Sequence, residues 1–585
     1  MSDGSFYDEL APFISVTLAQ ARNISDPLER CLKDIERICA GESEPETSDF
    51  EYLSEQRVIS GTQARAMWYK RRVRPAWTKD AALADLQHHL ALAVIRRDHL
   101  ALHVTDPKLK GPIRAALMSE VDKQVPLAWL SPVPRTTMSA AFLQNGQAKT
   151  LWLSGVHRRT ATKADAKILA GQDLDYSLDP FDDQSFYWSA ARSRNSHLKL
   201  TIGVSPRASR VWLGKASTLQ EFAGGATVLI DALRSAKTTT NEPFRFLACP
   251  VESIDPAHVH GAYDIAILPP DLQDDADEDA KAETALVLES NLIASVARKA
   301  NVAVEAEING ASIGSLLLEV AIARDGKARF KTSNVVPAGI EDEKFKRLKA
   351  LLTTGAGVNI RYDSGHSISD RQVYVSRNPR IGFDNFEPHD FAGYKAKQEK
   401  PTDLTKIGKE KSLFCWVQNT HKGWLACDDG ANEKADFIHL DDSGKKPVLS
   451  LIHVKGAKSD KVNRRLSVAA YEVVTGQAVK NLQWLDKEAL AKGLGQAVRQ
   501  TNYWWKDGKT VPKQRLIAAI DALGDDIVRR VVIVQPHVTE AARQSAAKMA
   551  TGVNRLRLDQ LNTLLASAWR SANGLGFEFK VISSA

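Results

Sequence analysis

The sequence predicts a multidomain α/β protein with a mainly helical N-terminal region (1–184), a mixed α/β middle domain of unknown role (185–400) and a C-terminal α/β domain (401–585). Three observations predict this organisation. The length of 585 residues corresponds to about three or four domains. Leucines and alanines recur at helical spacing before residue 105. A polar, lysine-rich segment, 393–411, separates the middle of the chain from its last strand-rich part.

The N-terminal region contains the clearest helical pattern, DAALADLQHHLALAVIRRDHLALHV, from Asp80 to Val104. Its apolar residues recur every three or four positions, which is typical of an amphipathic helix. The stretch from Met67 to Trp77 interleaves cations with aromatic rings, and such a composition suits a nucleic-acid surface. A solvated charged face with buried aromatic side chains is the simpler interpretation. The residues concerned are Trp68, Tyr69, Lys70, Arg71, Arg72, Arg74 and Trp77.

The middle domain alternates predicted strands and helices. LKLTIGV and SRVWLG are typical of strands, TLQEFAGGATVLIDALRS is typical of a helix, and Asp325-Gly326 predicts a hairpin turn. The acidic run from Asp271 to Glu283 indicates a solvated loop that leads into a further helix.

This domain also contains Gly310-Ala-Ser312-Ile-Gly314, which matches the GxSxG pattern of a serine nucleophile. That motif requires a strand, a sharp turn and then a helix, whereas the residues after Gly314 predict two strands. A serine hydrolase, with Asp363 and His366 as partners of Ser312, is therefore the weakest of three functional hypotheses.

Composition and charge indicate an ordinary globular protein of the cytoplasm, with 43% hydrophobic and 25% charged residues. No apolar run is long enough to span a membrane, and the acidic N-terminus lacks the features of a secretory signal. The five cysteines form no CxxC pair, which argues for a reducing compartment and against a zinc ribbon. The formal charge of +7 permits a nucleic-acid partner without requiring one.

The segment GWLACDDGANEKADFIHLDDSGKKPVLSLIHVKGA carries the strongest functional signal. It divides into three predicted strands joined by turns that contain Asp or Gly. Because side chains alternate along a strand, His453 and Lys455 share a face of the third strand and lie about 6–7 Å apart. Asp436, on the second strand, lies beside them if the register is ordinary. The predicted strands are Trp424–Asp428, Ala435–Asp441 and Val448–Lys455.

This arrangement resembles the PD-(D/E)xK superfamily, the restriction-endonuclease-like nucleases, over about residues 400–585. The core of that superfamily is a helix, a three-strand meander, a helix and a further strand. Asp436 matches the acid of the second strand and Lys455 the lysine of the third. His453 stands where the family usually has Asp or Glu, which gives the motif D…HxK. Gln477, in a helix predicted over 466–485, matches a glutamine that some members carry there, and residues 529–536 supply the further strand.

The resemblance implies a metal-dependent endonuclease that hydrolyses DNA phosphodiester bonds, with Mg²⁺ or Mn²⁺ as its cofactor. Asp436 and His453 are the expected metal ligands, and Lys455 and Gln477 complete the expected catalytic set. A neutral imidazole is a softer ligand than a carboxylate, so His453 favours Mn²⁺ over Mg²⁺. Acids that could supplement the site are Glu410, Asp428, Asp429 and Glu433.

The basic residues after the third strand are expected to contact the DNA backbone. They are Lys458, Lys461, Arg464 and Arg465. Tyr503, Trp504 and Trp505 are either base-stacking or core residues.

The resemblance further implies an effector of bacterial defence against phage or foreign DNA. Because the chain has no GxxxxGK[ST] motif, an ATP-driven step would require a separate helicase or ATPase subunit. The sequence also leaves a homo-oligomer open. The alternative hypothesis is a catalytically inactive subunit that keeps the nuclease fold and only binds DNA.

Overall fold

The computed structural model describes residues 9–21, 24–42, 48–52, 57–59, 61–73, 83, 85–118, 126–144, 146–157, 164–174, 177–179, 181–206, 209–237, 244, 246–268, 278–334, 342–355, 357–375, 380–430, 433–496 and 503–585. These residues form four β-sheets and twelve α-helices. Three of the sheets are entirely antiparallel, and the fourth is mixed. The α/β class predicted for the whole chain is therefore wrong, because the described residues contain more strand than helix and three of their four sheets are entirely antiparallel.

The first sheet has twelve strands and takes up the N-terminal part of the chain as far as Lys215. Its strands are β1 (Phe13–Ala21), β2 (Ser48–Tyr52), β3 (Arg57–Ile59), β4 (Thr62–Val73), β5 (Asp85–Arg96), β6 (His99–Val104), β7 (Leu130–Pro132), β8 (Gly146–Gly155), β9 (Ala166–Ala170), β10 (Phe186–Asn195), β11 (Leu200–Ser205) and β12 (Arg210–Lys215). The main order is β2-β4-β5-β6-β1-β12-β11-β10-β8-β9. The helices of this part are α1 (Pro27–Glu42), α2 (Pro107–Met118), α3 (Arg135–Phe142) and α4 (Leu219–Ser235).

The prediction of a mainly helical N-terminal region was wrong. The segment Asp80–Val104, expected to be a helix, contains the antiparallel pair β5 and β6. Strand β5 is buried on both faces: Leu92 and Val94 pack into one apolar core, and Ala93 and Ile95 pack into another. A strand covered on both sides has a continuous apolar run instead of an alternating one, and periodicity cannot distinguish such a run from a buried helix.

The middle part of the chain contains two smaller antiparallel sheets. Their strands are β13 (Cys249–Pro250), β14 (Ala262–Ile267), β15 (Ser290–Val296), β16 (Val302–Ile308), β17 (Ala311–Ile322), β18 (Ala328–Asn334), β19 (Val358–Tyr362), β20 (His366–Ser369) and β21 (Gln372–Val375), with helices α5 (Glu278–Glu289) and α6 (Glu343–Thr354). The orders are β13-β21-β20-β19-β14 and β15-β16-β17-β18. The predicted acidic loop, Asp271 to Glu283, lies outside the described residues as far as 277. From Glu278 onward it belongs to helix α5.

Ser312 lies inside a β-hairpin, which does not have the geometry of a nucleophile elbow. The turn between β16 and β17 has positive φ values at Asn309 (52°) and Gly310 (78°), and β17 then continues to Ile322. A helix does not follow the serine, as the GxSxG motif would require.

The C-terminal sheet has eight strands and combines parallel with antiparallel pairing. Its strands are β22 (Phe386–His389), β23 (Trp424–Cys427), β24 (Phe437–Asp441), β25 (Val448–Val454), β26 (Trp504–Lys506), β27 (Lys509–Thr510), β28 (Val528–Thr539) and β29 (Glu578–Ser584). The helices are α7 (Leu413–Thr420), α8 (Ala469–Lys480), α9 (Lys487–Gly495), α10 (Lys513–Asp521), α11 (Glu540–Ala547) and α12 (Val553–Asn573). The order is β22-β29-β28-β25-β24-β23-β26-β27, in which β22, β29, β28 and β25 are parallel.

Both faces of this sheet are covered. Tyr471 of α8 and Leu561 of α12 belong to the core on one face, and Phe414 and Trp416 of α7 belong to the core on the other. The three strands predicted between residues 424 and 455 are confirmed as β23, β24 and β25. Trp504 and Trp505 are buried on β26, so they serve as core residues and are not exposed for base stacking.

The five-stranded sheet contacts both larger sheets. Arg361 of β19 donates to the carbonyl of Gly155 in the first sheet at 3.3 Å, and Tyr263 of β14 donates to the Glu472 carboxylate of α8 at 3.0 Å. None of the helices in the described ranges combines the length and apolar character needed to cross a membrane.

Candidate metal centre at the end of the C-terminal meander

Asp436 lies immediately before β24, at the point where that strand meets the end of β25. The register pairs Phe437 with Ile452 and Ile438 with Leu451. The Asp436 carboxylate accepts a hydrogen bond from the backbone N–H of Val454 at 2.8 Å and is only 4% exposed. Asp436 is therefore fixed against the end of the central strand.

Three carboxylates converge at this position. Within the described residues, Asp429, Glu433 and Asp436 form a group in which one oxygen of each lies within 4.8 Å of the others. Asp429 and Glu433 belong to the connection between β23 and β24. Asp429 is buried and Glu433 is half-buried. Both had been predicted as supplementary acids.

The carboxylates of this group disfavour each other's ionisation. Burial raises the pKa of Asp436 to about 8, and the nearby Glu433, Glu399 and Asp429 add to the shift. Burial also raises the pKa of Glu433, with Asp429 contributing. A cluster of this kind is expected to bind a divalent cation, because the cation compensates the carboxylate charges and Mg²⁺ and Mn²⁺ prefer oxygen ligands.

Two lysines compensate the acidic charge in part. Lys400 pairs with Asp429 at 2.7 Å, and Lys455 pairs with Glu399 at 3.0 Å. Partial burial opposes the ionisation of Lys400, but its hydrogen bond to Asp429 and the adjacent carboxylates hold its pKa above the ordinary value. The Lys455 side chain is 41% exposed. Lys455 thus reaches the edge of the acidic group through Glu399, from the open side.

Glu399 and Lys400 were missed by the sequence analysis. They lie in the polar segment interpreted as a domain boundary, and Lys400 is 29 residues away from its partner Asp429. The adjacent acid and base in "KQEKPTD" are a weak signal that only the fold makes specific.

Gln477 of α8, a residue of the predicted catalytic set, lies beside the acidic group. Its amide Nε2 donates to Glu433 Oε1 at 3.4 Å. Gln477 therefore orients Glu433 from the helix side.

His453 lies in the apolar core. It is 0% exposed, and neither ring nitrogen has a hydrogen-bond partner among the described residues. It shares with Leu449 and Leu451 the face of β25 that α8 covers. Burial lowers the pKa of its imidazole to about 4. His453 is not part of the carboxylate group found in the described chain. No contact there supports its predicted role as a metal ligand.

Two of the other candidate acids have local partners. Glu410 accepts hydrogen bonds from the hydroxyl of Thr402 at 2.5 Å and from its backbone N–H at 2.9 Å, and so closes a surface loop. These bonds lower the pKa of Glu410. Asp428 pairs with the buried ammonium of Lys434 at 3.3 Å. Neither Glu410 nor Asp428 belongs to the group of three carboxylates.

The basic loop, defined here as residues 455–467, follows β25 and contains the four predicted DNA contacts. Arg464 is buried and donates to the carbonyls of Pro536 and His537 at 2.6 and 3.0 Å and to Ser584 Oγ at 2.6 Å. Arg464 therefore anchors the loop from inside. Lys461 and Arg465 are exposed.

The basic and aromatic stretch near the N-terminus lies on β4. Tyr69 and Arg71 are buried, and both donate to Asp106 at 2.9 Å. The ammonium of Lys70 lies 5.0 Å from the centre of the Trp68 ring. Arg74 and Trp77 lie outside the described residues. Two of the seven residues of this predicted nucleic-acid surface thus belong to a buried hydrogen-bond network.

No known protein family, curated protein or solved structure matches this chain.

Proposed function

We propose that the protein is a metal-dependent endonuclease that hydrolyses DNA phosphodiester bonds, with Mg²⁺ or Mn²⁺ held by Asp429, Glu433 and Asp436. The observation that supports this most is the convergence of three carboxylates, two of them buried, with their oxygens within 4.8 Å. Metal-free, this arrangement is costly, because burial and like charge both disfavour ionisation. Such an arrangement is typical of sites that exist for a ligand.

The bound cation would neutralise phosphate charge and lower the pKa of a water molecule. Side chains would orient the metal ligands and stabilise the charge that develops on the phosphate. Asp436 is held by the Val454 N–H and Glu433 by Gln477, so their oxygens are pre-oriented. Lys455, on the exposed side, is placed to stabilise the negative charge that develops on the phosphate. In this proposal His453 packs the core beneath the site instead of binding the metal.

The proposal includes a DNA partner contacted by the basic loop, and a role in bacterial defence beside a separate helicase or ATPase. The defence role depends on the family resemblance alone. It stays a prediction, as do the homo-oligomer and the compartment.

The test is cleavage of supercoiled plasmid in Mg²⁺, in Mn²⁺ and in EDTA, with Asp436→Ala as the variant. We expect metal-dependent nicking by the wild type and a loss of at least about 10²-fold in the variant, comparable to the removal of a pre-organised charge-stabilising group. Asp441→Asn is the matched control. Asp441 ends the same strand, and its carboxylate binds Ser443 in a turn. The control should cut at the wild-type rate.

The outcomes separate the two leading hypotheses. Binding of plasmid without cleavage in either metal would favour the inactive DNA-binding subunit. Cleavage that survives Asp436→Ala would mean that the catalytic centre lies elsewhere in the chain.

A further inference from the structure

The turn between β19 and β20 docks a carboxylate onto the basic loop. Lys458 Nζ lies 3.1 and 3.2 Å from the two carboxylate oxygens of Asp363, and the buried Ser467 donates its hydroxyl to Oδ1 at 2.8 Å. The Lys458 ammonium also lies 5.4 Å from the centre of the Tyr263 ring. A predicted DNA contact is therefore occupied by an acid from the middle of the same chain.

The turn itself is held by its backbone. Arg557 of α12 donates to the Asp363 carbonyl at 2.6 Å, Gln560 donates to the Gly365 carbonyl at 2.7 Å, and the Asp363 N–H donates to Gly261 at 2.8 Å. These bonds do not involve the Asp363 carboxylate. Its side chain can therefore be changed while the turn remains docked.

Two guanidinium groups, those of Arg557 and Arg465, also lie near the Asp363 turn. Arg465 of the basic loop is exposed. Burial lowers the pKa of the neighbouring His260, and the charges of Arg557 and Arg465 lower it further, which places both guanidinium groups close to the turn. Because one carboxylate faces several cations, this surface keeps a net positive charge that can attract a further anion.

The ligands of the Asp363 carboxylate are also those that bind a phosphate. A lysine ammonium and a serine hydroxyl, with arginine alongside, are the common contacts of DNA backbone phosphates in proteins. We infer that Asp363 occupies the position of a DNA backbone phosphate on the basic loop, and that its carboxylate competes with DNA for Lys458 and Ser467. This inference rests on the proposed function and names the surface by which that site receives its substrate.

The test measures DNA binding in EDTA, where cleavage cannot interfere. A fluorescent duplex of unrelated sequence is titrated with the wild type, Asp363→Asn and Asp325→Asn over a series of salt concentrations. Asp325 lies on the exposed turn between β17 and β18, so its replacement removes the same charge at a distance from the basic loop. We expect Asp363→Asn to bind about tenfold more tightly at about 50 mM salt, with a salt slope steeper by about 0.9, the value for one additional phosphate contact. Asp325→Asn should bind as the wild type does.

Lys458→Gln makes the test specific. It should weaken DNA binding more in the Asp363→Asn background than in the wild type, because Asp363 already neutralises Lys458 in the wild type, and it should abolish the gain of Asp363→Asn. Equal gains in Asp363→Asn and Asp325→Asn would overturn the inference, because they would reflect net charge alone. A loss caused by Lys458→Gln that is as large in the wild type as in the double variant would also overturn it.

The proposed function can fail separately. If no variant cuts plasmid in either metal but Asp363→Asn gains affinity that depends on Lys458, the phosphate surface stands and the nuclease does not. If the wild type cuts but Asp363→Asn gains nothing, the nuclease stands and the inference does not.

Discussion

Two buried carboxylates in this chain, Asp106 and Asp436, have opposite surroundings. Asp106, beside the first sheet, accepts hydrogen bonds from Tyr69 and from the buried guanidinium of Arg71, both at 2.9 Å. Asp436, beside the C-terminal sheet, accepts one backbone N–H, and its neighbours include Asp429 and other carboxylates.

The difference separates a structural charge from a candidate functional one. A buried acid with a buried base and a hydroxyl donor is compensated within the fold, and breaking the pair would be costly. A buried acid among other acids is compensated only in part, here by the ion pair of Lys400 with Asp429, and strongly perturbed groups of this kind cluster at functional sites. Burial alone did not separate the two cases, since Asp106 and Asp436 are 1% and 4% exposed.

The largest expected effect is a contrast in stability between two Asp→Asn variants. Asp106→Asn removes the carboxylate charge that lies 2.9 Å from the buried Arg71 guanidinium and should lower the free energy of unfolding by about 3–5 kcal/mol. Asp436→Asn should raise it by about 1–3 kcal/mol in EDTA at pH 8. The pKa of Asp436 is raised in the folded state. The folded state therefore binds more protons than the unfolded state, and the free energy of unfolding falls as pH rises from about 4 to about 8. Urea unfolding measures both. Destabilisation of similar size in the two variants would remove the comparison.

A divalent metal ion should stabilise the folded protein only when the carboxylate group of Asp429, Glu433 and Asp436 is intact. A ligand at about 100 times its Kd stabilises the folded state by about 2.7 kcal/mol. We therefore expect Mn²⁺ to raise the melting temperature of the wild type and of Asp441→Asn, and to leave that of Asp436→Ala unchanged. An equal rise in Asp436→Ala would mean that the ion binds elsewhere.

Where local patterns decide the structure, the sequence predicts it correctly. Strands β23, β24 and β25 are short, bounded by Asp and Gly turns, and were located to within a few residues. Asp436, Asp429 and Glu433 belong to that same segment, so locating the strands also located the acids. Strand β5 was misinterpreted as a helix, because its burial on both faces removes the alternation on which the distinction depends.

The rest of the site depends on contacts that no local pattern encodes. Lys400 reaches Asp429, and Glu399 reaches Lys455, from a segment that resembles a linker. The alternating pattern of β25 places His453 on the face where a metal ligand was predicted, but α8 covers that face. Whether a strand-end side chain meets a cleft or a helix depends on the packing of elements distant in sequence.

The role of His453 as a core residue has a pH signature. Its folded-state pKa of about 4 lies below the unfolded value of about 6.5. The unfolded chain therefore binds more protons between these values, and stability rises as pH increases from about 4 to about 6.5. His366, His421 and His537 have similarly lowered pKa values and contribute to the same slope. His453→Phe should reduce the slope near pH 5 by about 1.4 kcal/mol per pH unit. An unchanged slope in urea titrations would mean that His453 is solvated or paired.

The smallest expected effect concerns the basic loop, where burial again decides the role of a charge. Arg464 is buried against Pro536, His537 and Ser584, so Arg464→Ala should lower stability. Lys461, three residues earlier, is exposed. Lys461→Ala should change the free energy of unfolding by less than about 0.5 kcal/mol. It should also reduce the salt slope of DNA binding by about 0.9, the loss of one phosphate contact. If Lys461→Ala left the salt slope unchanged, exposure would not be enough to identify the DNA contacts of this loop, and the DNA path would have to cross Arg465 and the Asp363 turn instead.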